Sequence, residues 1–222
     1  MKFPTTKLFI VLALFTLVKN QNEQEEDFNS GIPDYSKIKV QYGNHTINRP
    51  IFHFTPEFGW MNDPNGCWYD KETETYHIYF QYNPNDTIWG MPLYWGHASS
   101  KNLAKWEHHN IAIRAIDWAG AYSGSMFIDD ECLSGYFSNC NEEGNKKYQN
   151  TIAAWTWNDK DWKEFQCFSY STDGGMVFKT PSDKCLDENS TQYRDPQVVK
   201  YGSGQYILSV AKSHEYSIYF YH

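Results

Sequence analysis

The chain has 222 residues, enough for one domain of ordinary size. Aromatic residues make up 18% of it, with 9 Trp and 17 Tyr, a composition that suits rings packed on pleated strands and equally rings stacked on sugar faces. The net charge of −8 argues against a nucleic-acid partner or an anionic membrane surface and fits a soluble protein with a neutral substrate.

At the N-terminus, Lys2 and Lys7 flank the start of an apolar run from Leu8 to Val18 that only Thr16 interrupts. Such a run is too short to span a bilayer, which takes about 20 residues, and has the form of a secretory signal. The expected signal covers residues 1–19, with no membrane association after its cleavage. Residues 20–48 are polar, with Glu23, Glu25, Glu26 and Asp27 close together, and read as a flexible, solvated leader. Three Asn-x-Ser/Thr sequons start at Asn44, Asn85 and Asn189; beside a signal they point to a glycosylated protein that is secreted or held at the cell wall or periplasmic space.

From Arg49 onward the chain is strand-like. Tyr76–Tyr82, Tyr122–Ile128, Thr151–Trp157 and Tyr206–Val210 are rich in aromatic and β-branched residues. Turn-forming clusters separate them at 83–86, 139–145, 173–175 and 202–204. No long stretch has apolar spacing at the helical period, so helix content should be low. Five cysteines leave at least one unpaired or paired between chains; Cys132 and Cys140 could close a short loop, and the pairing is otherwise open. His108-His109 reads as a strand-edge or loop pair, and no spacing suggests a metal site.

Two echoes run through this region. Asp63-Pro64, followed by Tyr76-His77-Ile78, returns 132 residues later as Asp195-Pro196, followed by Tyr206-Ile207-Leu208. Ser99–Trp106 returns as Ser171–Phe178. Repeated units of short strands and tight turns predict β-propeller blades at about 60–115 and 121–182, with a third opening near 192. An all-β sandwich would accommodate the same strands.

The chemistry is concentrated in Trp60-Met61-Asn62-Asp63-Pro64-Asn65-Gly66 and Tyr193-Arg194-Asp195-Pro196. Glycosidic cleavage needs two carboxyl groups, one to attack or stabilise the cationic sugar and one to protonate the leaving oxygen, about 5–5.5 Å apart in retaining enzymes. Asp63 is a plausible nucleophile, with Asn62 and Asn65 as hydroxyl partners and Pro64 stiffening the turn. Arg194 beside Asp195 should keep that carboxylate ionised, which suits hydroxyl binding over proton donation. Gln81 can hydrogen-bond a hydroxyl. Gly124, between Ser123 and Ser125, either allows close backbone approach to a ligand or marks a bulge; no Gly-x-Ser-x-Gly elbow is present.

Together with Arg49-Pro50, His53-Phe54-Thr55-Pro56, Phe80-Gln81-Tyr82-Asn83-Pro84, Trp89-Gly90, Trp95-Gly96-His97-Ala98-Ser99 and Tyr122-Ser123-Gly124-Ser125, these motifs resemble the N-terminal catalytic region of glycoside hydrolase family 32, the β-fructofuranosidases, most closely secreted fungal-type invertases. The resemblance runs from about Arg49 to the last residue. It implies an all-β, five-bladed β-propeller, of which residues 49–222 supply about two and a half blades, and a retaining mechanism on the fructosyl unit of sucrose or related fructosides. By the same resemblance Asp63 is the nucleophile and Asp195 the transition-state stabiliser. Asn62, Asn65, Gln81, Trp89, Ser123, Gly124 and Arg194 bind substrate. No metal or cofactor is implied, and the oligomeric state stays open.

The family's general acid is the Glu of a Glu-Cys-Pro motif, which this sequence lacks. Glu215 is followed by Tyr216 and falls in what reads as the second hairpin of the third blade. The expectation is therefore a fragment of a longer coding sequence or a truncated product, whose parent is an invertase. The alternatives are a catalytically silent fructoside-binding product, or a parent acting on inulin-type fructans or transferring fructose to other sugars.

Overall fold

A computed structural model describes residues 53–114, 120–128, 151–171, 173–180, 185–202 and 205–222. The expected signal and leader, Asn44, Cys132, Cys140 and the 139–145 turn lie outside the described residues. Among the described residues, eleven strands form three antiparallel sheets. The first holds β1 (Trp60–Asp70), β2 (Thr75–Asn83), β3 (Tyr94–Ser100) and β4 (Glu107–His108), in that order. The second holds β5 (Gly120–Ile128), β6 (Thr151–Asn158), β7 (Glu164–Ser171) and β8 (Cys185–Ser190), and the third β9 (Tyr193–Tyr201), β10 (Gln205–Lys212) and β11 (Ser217–Tyr221). Each sheet is a meander whose first strand packs beside the first strand of the next, β1 beside β5 and β5 beside β9. This is the blade-by-blade arrangement of a propeller rather than two facing layers.

Three of the four aromatic and β-branched runs become second strands of their sheets, β2, β6 and β10, and Tyr122–Ile128 falls in the inner strand β5. All but one residue of β6 is buried, and β2 alternates buried and half-buried positions. The second blade extends past the expected limit of 182, because β8 closes it at 185–190. Its Asp187-Glu188-Asn189 sequence has the polarity of a loop, yet an outer strand tolerates charge on its solvent side and is protected by it. The Cys167–Cys185 disulfide joins β8 to β7, while Cys67 is free and exposed.

The second echo has a physical counterpart, displaced by one residue: Ser100, not Ser99, takes the place of Ser171. In the turn after β3, Ser100 Oγ accepts from the Leu103 N–H and Asn102 Oδ1 from the Ala104 and Lys105 N–H groups. In the turn after β7, Ser171 Oγ accepts from the Gly175 N–H, and Asp173 Oδ1 from those of Met176 and Val177. A side-chain-capped turn thus leads to the outer strand of each of the first two blades.

Blades adhere through two apolar seams. Tyr79, Trp95, Ala112 and Ile113 of the first blade pack on Ala121, Ala153, Trp155 and Phe178 of the second. Tyr193, Leu208 and Val210 of the third pack with Phe168 and Leu186. Polar ties cross the first seam: the Tyr79 hydroxyl donates to the Gly175 carbonyl (2.7 Å), and the Ala121 N–H to the Leu93 carbonyl (2.9 Å).

A column of imidazoles stands inside the first blade. His77 Nδ1 and His97 Nε2 share a hydrogen bond of 2.9 Å; His77 stacks on Trp68 and His97 on Tyr79, with centroids 4.6 and 4.4 Å apart. His109 lies against His97 and pairs with Ser99 Oγ at 2.7 Å. Burial pushes His77 down to about 4 and His97 well below its ordinary value; Asp70 opposes the shift at His77, while His109 adds to both. Because the folded state resists protons that the unfolded chain accepts, stability is full above the ordinary histidine pKa of about 6.5 and declines as pH falls toward about 4. Urea titrations at about pH 7, 5.5 and 4 should show that decline. His77→Phe, which keeps a ring on Trp68 but cannot be protonated, should flatten it.

Candidate active site

The inner strand of each sheet carries a bulge where the sequence motifs lie. In β1, Met61 faces Tyr82 but Pro64 faces Phe80, so Asn62 and Asp63 together hold one residue too many for the β2 ladder. In β5, Ala121 faces Trp157 and Gly124 faces Trp155, which leaves the extra residue at Tyr122-Ser123. In β9, Arg194 faces Ala211 and Gln197 faces Ser209, with Asp195-Pro196 between. A bulge turns side chains out of their alternation. Here it turns Asp63, Ser123 and Asp195 into one pocket of about 540 Å³.

Asp63 Oδ2 accepts a hydrogen bond from Ser123 Oγ at 2.9 Å, and Ser123 Oγ accepts one from Gln81 Nε2 at 2.9 Å. Asn62, Gln81 and Ser123 all line the cavity. Trp89 lines it from the loop after β2, which Asn83 holds through Nδ2 to the Ile88 carbonyl (3.1 Å). Half-exposed on the pocket rim, Trp89 offers an indole face to a ligand.

Asp195 and Arg194 stand on the wall supplied by β9. Asp195 is exposed by surface area, yet it sits in a recess. Desolvation there raises its carboxyl pKa above the ordinary value; Asp63 adds to the rise and Arg194 opposes it. Arg194 acts on this carboxylate in the expected direction, but its guanidinium is shared. Arg194 Nη2 lies 3.0 Å from Glu164 Oε1, and Glu164 is buried. Burial raises Glu164 as well, against the opposing hydrogen bond from the Tyr193 N–H and the Arg194 charge.

Two residues of the motifs stand behind the pocket. Asn65 is 2% exposed. Its Oδ1 accepts from Trp95 Nε1 (2.9 Å) and the Gln81 N–H (3.1 Å), and its Nδ2 donates to the Asp63 carbonyl (3.3 Å). Trp95 Nε1 also donates to the Tyr122 carbonyl at 2.8 Å. Gly124 lies at the β5 bulge, where a Cβ would fall 2.0 Å from the Ala154 carbonyl oxygen; the close approach is to β6, not to a ligand. Glu215 is also off the pocket: it pairs with Lys212 at 3.0 Å and accepts from the Tyr219 hydroxyl at 2.6 Å, in the hairpin between β10 and β11.

A cavity holding two solvent-facing carboxylates, one guanidinium, amide and hydroxyl donors and indole faces suits a neutral, polyhydroxylated ligand. Comparison with known proteins agrees. Residues 53–222 match the N-terminal domain of glycosyl hydrolases family 32. The chain belongs to this family. It is 47% identical over 189 residues to invertase 2 of Saccharomyces cerevisiae, covering 84% of this chain and 35% of that protein. An extracellular exo-inulinase of Meyerozyma guilliermondii is 40% identical over 181 residues, covering 80% and 34%. The structure of the β-fructofuranosidase of Schwanniomyces occidentalis complexed with fructosyl-erythritol superposes with a TM-score of 0.71 at 43% identity, covering 78% and 33%. The chain spans about a third of the length of the curated relatives it matches.

Within this family 32 pocket, sequence reasoning missed Glu164, Tyr122 as a wall, Trp162, Thr191 and Gln192. Trp162 reaches the rim from the tight turn between β6 and β7, where its φ of 63° is left-handed and Asp159 Oδ1 accepts from the Asp161 and Lys163 N–H groups. Glu164 and Gln166 alternate with Phe165 and Cys167, so two polar side chains share one face of a strand; that pattern was the available signal.

Gly124→Ala tests the bulge. With backbone on the colliding side, it should destabilise the chain by about 2–3 kcal/mol, read as a lower urea midpoint at unchanged slope.

Proposed function

We propose that these residues form the fructosyl-binding half of a β-fructofuranosidase centre whose substrate is sucrose. The observation that carries the reading is that Asp63 and Asp195, far apart in sequence, share one pocket with Ser123, Arg194 and Trp89. In this reading Asp63 attacks the anomeric carbon of the fructosyl unit to form a covalent glycosyl-enzyme, which water then hydrolyses with retention. Asp195 binds fructose hydroxyls and stabilises the oxocarbenium-like transition state. Asn62, Gln81, Ser123, Trp89 and Arg194 contact the sugar, whereas Asn65 and Gly124 act from behind by holding the bulges. The relatives named invertase favour sucrose over inulin, and the exo-inulinase relative keeps fructans as the second substrate class.

The departing oxygen needs a proton. Glu164, the third carboxyl of the pocket, is engaged by Arg194 and the Tyr193 N–H and is not free to give one. That engagement supports a second reading for these residues, fructoside binding without turnover. Secretion and N-glycosylation are part of the proposal. The apolar run Leu8–Val18, the exposed positions of Asn85 and Asn189 and the extracellular exo-inulinase relative support them.

Calorimetry with fructose and sucrose, run beside an assay for fructose released from sucrose, separates the readings. Release above the buffer rate that Asp63→Asn abolishes marks the enzyme. Saturable binding without release, weakened about tenfold by Asp195→Asn, marks the silent binder. Binding of neither sugar would sink both.

A further inference from the structure

We propose that Glu164, Gln166 and Thr156 are positioning residues, a buried clamp reaching from the second blade to hold Arg194 and Asp195 in the pocket; the inference rests on the fructoside reading of that pocket. Thr156 of β6 and Gln166 of β7 are register partners, and Glu164 lies two residues before Gln166 on the same face. All three are almost wholly buried, at 0%, 0% and 3% exposure. Together they take hold of one short stretch of β9. Glu164 Oε2 accepts from the Tyr193 N–H at 2.5 Å, and Gln166 Nε2 donates to the Tyr193 carbonyl at 2.6 Å. Thr156 Oγ1 accepts from the Asp195 N–H at 3.1 Å and donates its own hydrogen to Gln166 Oε1 at 3.0 Å. The other Glu164 oxygen holds Arg194 Nη2 at 3.0 Å.

The clamp lies where the backbone is least able to hold itself. Asp195 has a φ of 63°, a left-handed conformation that a non-glycine residue keeps only when its surroundings impose it. Asp195 and Pro196 fall in the gap of the β9–β10 register, so the Asp195 N–H has no partner in that ladder and Thr156 supplies one. Three buried polar side chains would be costly in an apolar blade without such partners. Every bond just described goes to the stretch that presents Arg194 and Asp195, or within the clamp. Glu164 further fixes the guanidinium through one oxygen while its second oxygen fixes the adjacent backbone, so the position of Arg194 relative to Asp195 is set from a neighbouring sheet.

Two measurements on the 222-residue chain decide this. In amide exchange followed by NMR, Thr156→Val should speed exchange of the Asp195 N–H at least tenfold while amides of β1 to β3 keep their rates. In fructose titrations, Glu164→Gln, which keeps the side chain's shape and removes its charge, should weaken binding about tenfold. Glu164→Gln combined with Asp195→Asn should then bind no more than about twofold worse than Asp195→Asn alone, because both act through one position. A residue that merely supports the fold would lower stability and leave the two losses additive. Unchanged Asp195 exchange, or additive losses, overturns the clamp. If the wild-type chain binds no fructose, the fructoside reading fails and the exchange result alone decides the clamp; if Glu164→Gln does not fold, the same titration cycle with Thr156→Val takes its place.

Discussion

Surplus residues in the inner strands, two in β1 and one each in β5 and β9, are the constraint from which the site follows. Regular alternation would send neighbours to opposite faces of the sheet. The bulges in β1, β5 and β9 break that alternation and bring Asp63, Ser123 and Asp195 to a common pocket. A bulge also frees backbone groups from the ladder, and a freed group that stays buried is costly. Each bulge here has a buried side chain to meet one such group. Asn65 Nδ2 donates to the Asp63 carbonyl, Trp95 Nε1 to the Tyr122 carbonyl, and Thr156 Oγ1 accepts from the Asp195 N–H. The residues that make the site possible are therefore largely invisible from inside it.

Electrostatics favours a neutral ligand. Three carboxylates, Asp63, Glu164 and Asp195, line a pocket to which Arg194 brings the positive charge. Glu164 draws on that charge at close range, and burial together with Asp63 is left to raise Asp195. An anionic ligand would meet like charge, whereas hydroxyl groups can donate to the carboxylates. Ser123 is oriented by the same logic. Gln81 Nε2 can only donate, so it occupies a lone pair of Ser123 Oγ and leaves the single hydroxyl hydrogen for Asp63. A polar group two strands away thus sets which way a pocket hydroxyl points.

What the sequence made legible was strand content and motif. Tyr76–Tyr82, Tyr122–Ile128, Thr151–Trp157 and Tyr206–Val210 fall within β2, β5, β6 and β10, because aromatic and β-branched side chains pack well on a pleated surface. The Asp-Pro echo marked the inner strands of the first and third sheets. β8 was missed because an outer strand carries its charges outward and so has the composition of a loop. Asn65 and Gly124 were assigned to the pocket along with their motifs. A linear motif does not distinguish the residue that faces a ligand from the one that keeps the turn in shape. Glu164 and Trp162 belong to no motif at all: the polar alternation of Glu164 with Gln166 marks a face of β7 but not its cross-blade partners, and Trp162 is placed only by the turn that presents it.

The site is also built on seams. Asp63 comes from the first sheet, Ser123 from the second and Asp195 from the third, so relative blade position, rather than the geometry of any one blade, decides whether they meet. The seams are filled by large rigid rings, with Tyr79, Trp95 and Trp155 in one and Tyr193 in the other, all fully buried. Close-packed interiors do not deform smoothly. Several of these rings also carry a polar tie: Tyr79 to Gly175, Trp95 to Asn65 and Tyr122, and Tyr193 to Glu164 and Gln166 through its backbone. The apolar seam and the polar support of the bulges are thus made by the same residues. A shift at either seam would disturb hydrogen bonds to Asp63 or Asp195 while every ladder within a blade stayed intact, so the pocket should be lost before the sheets are.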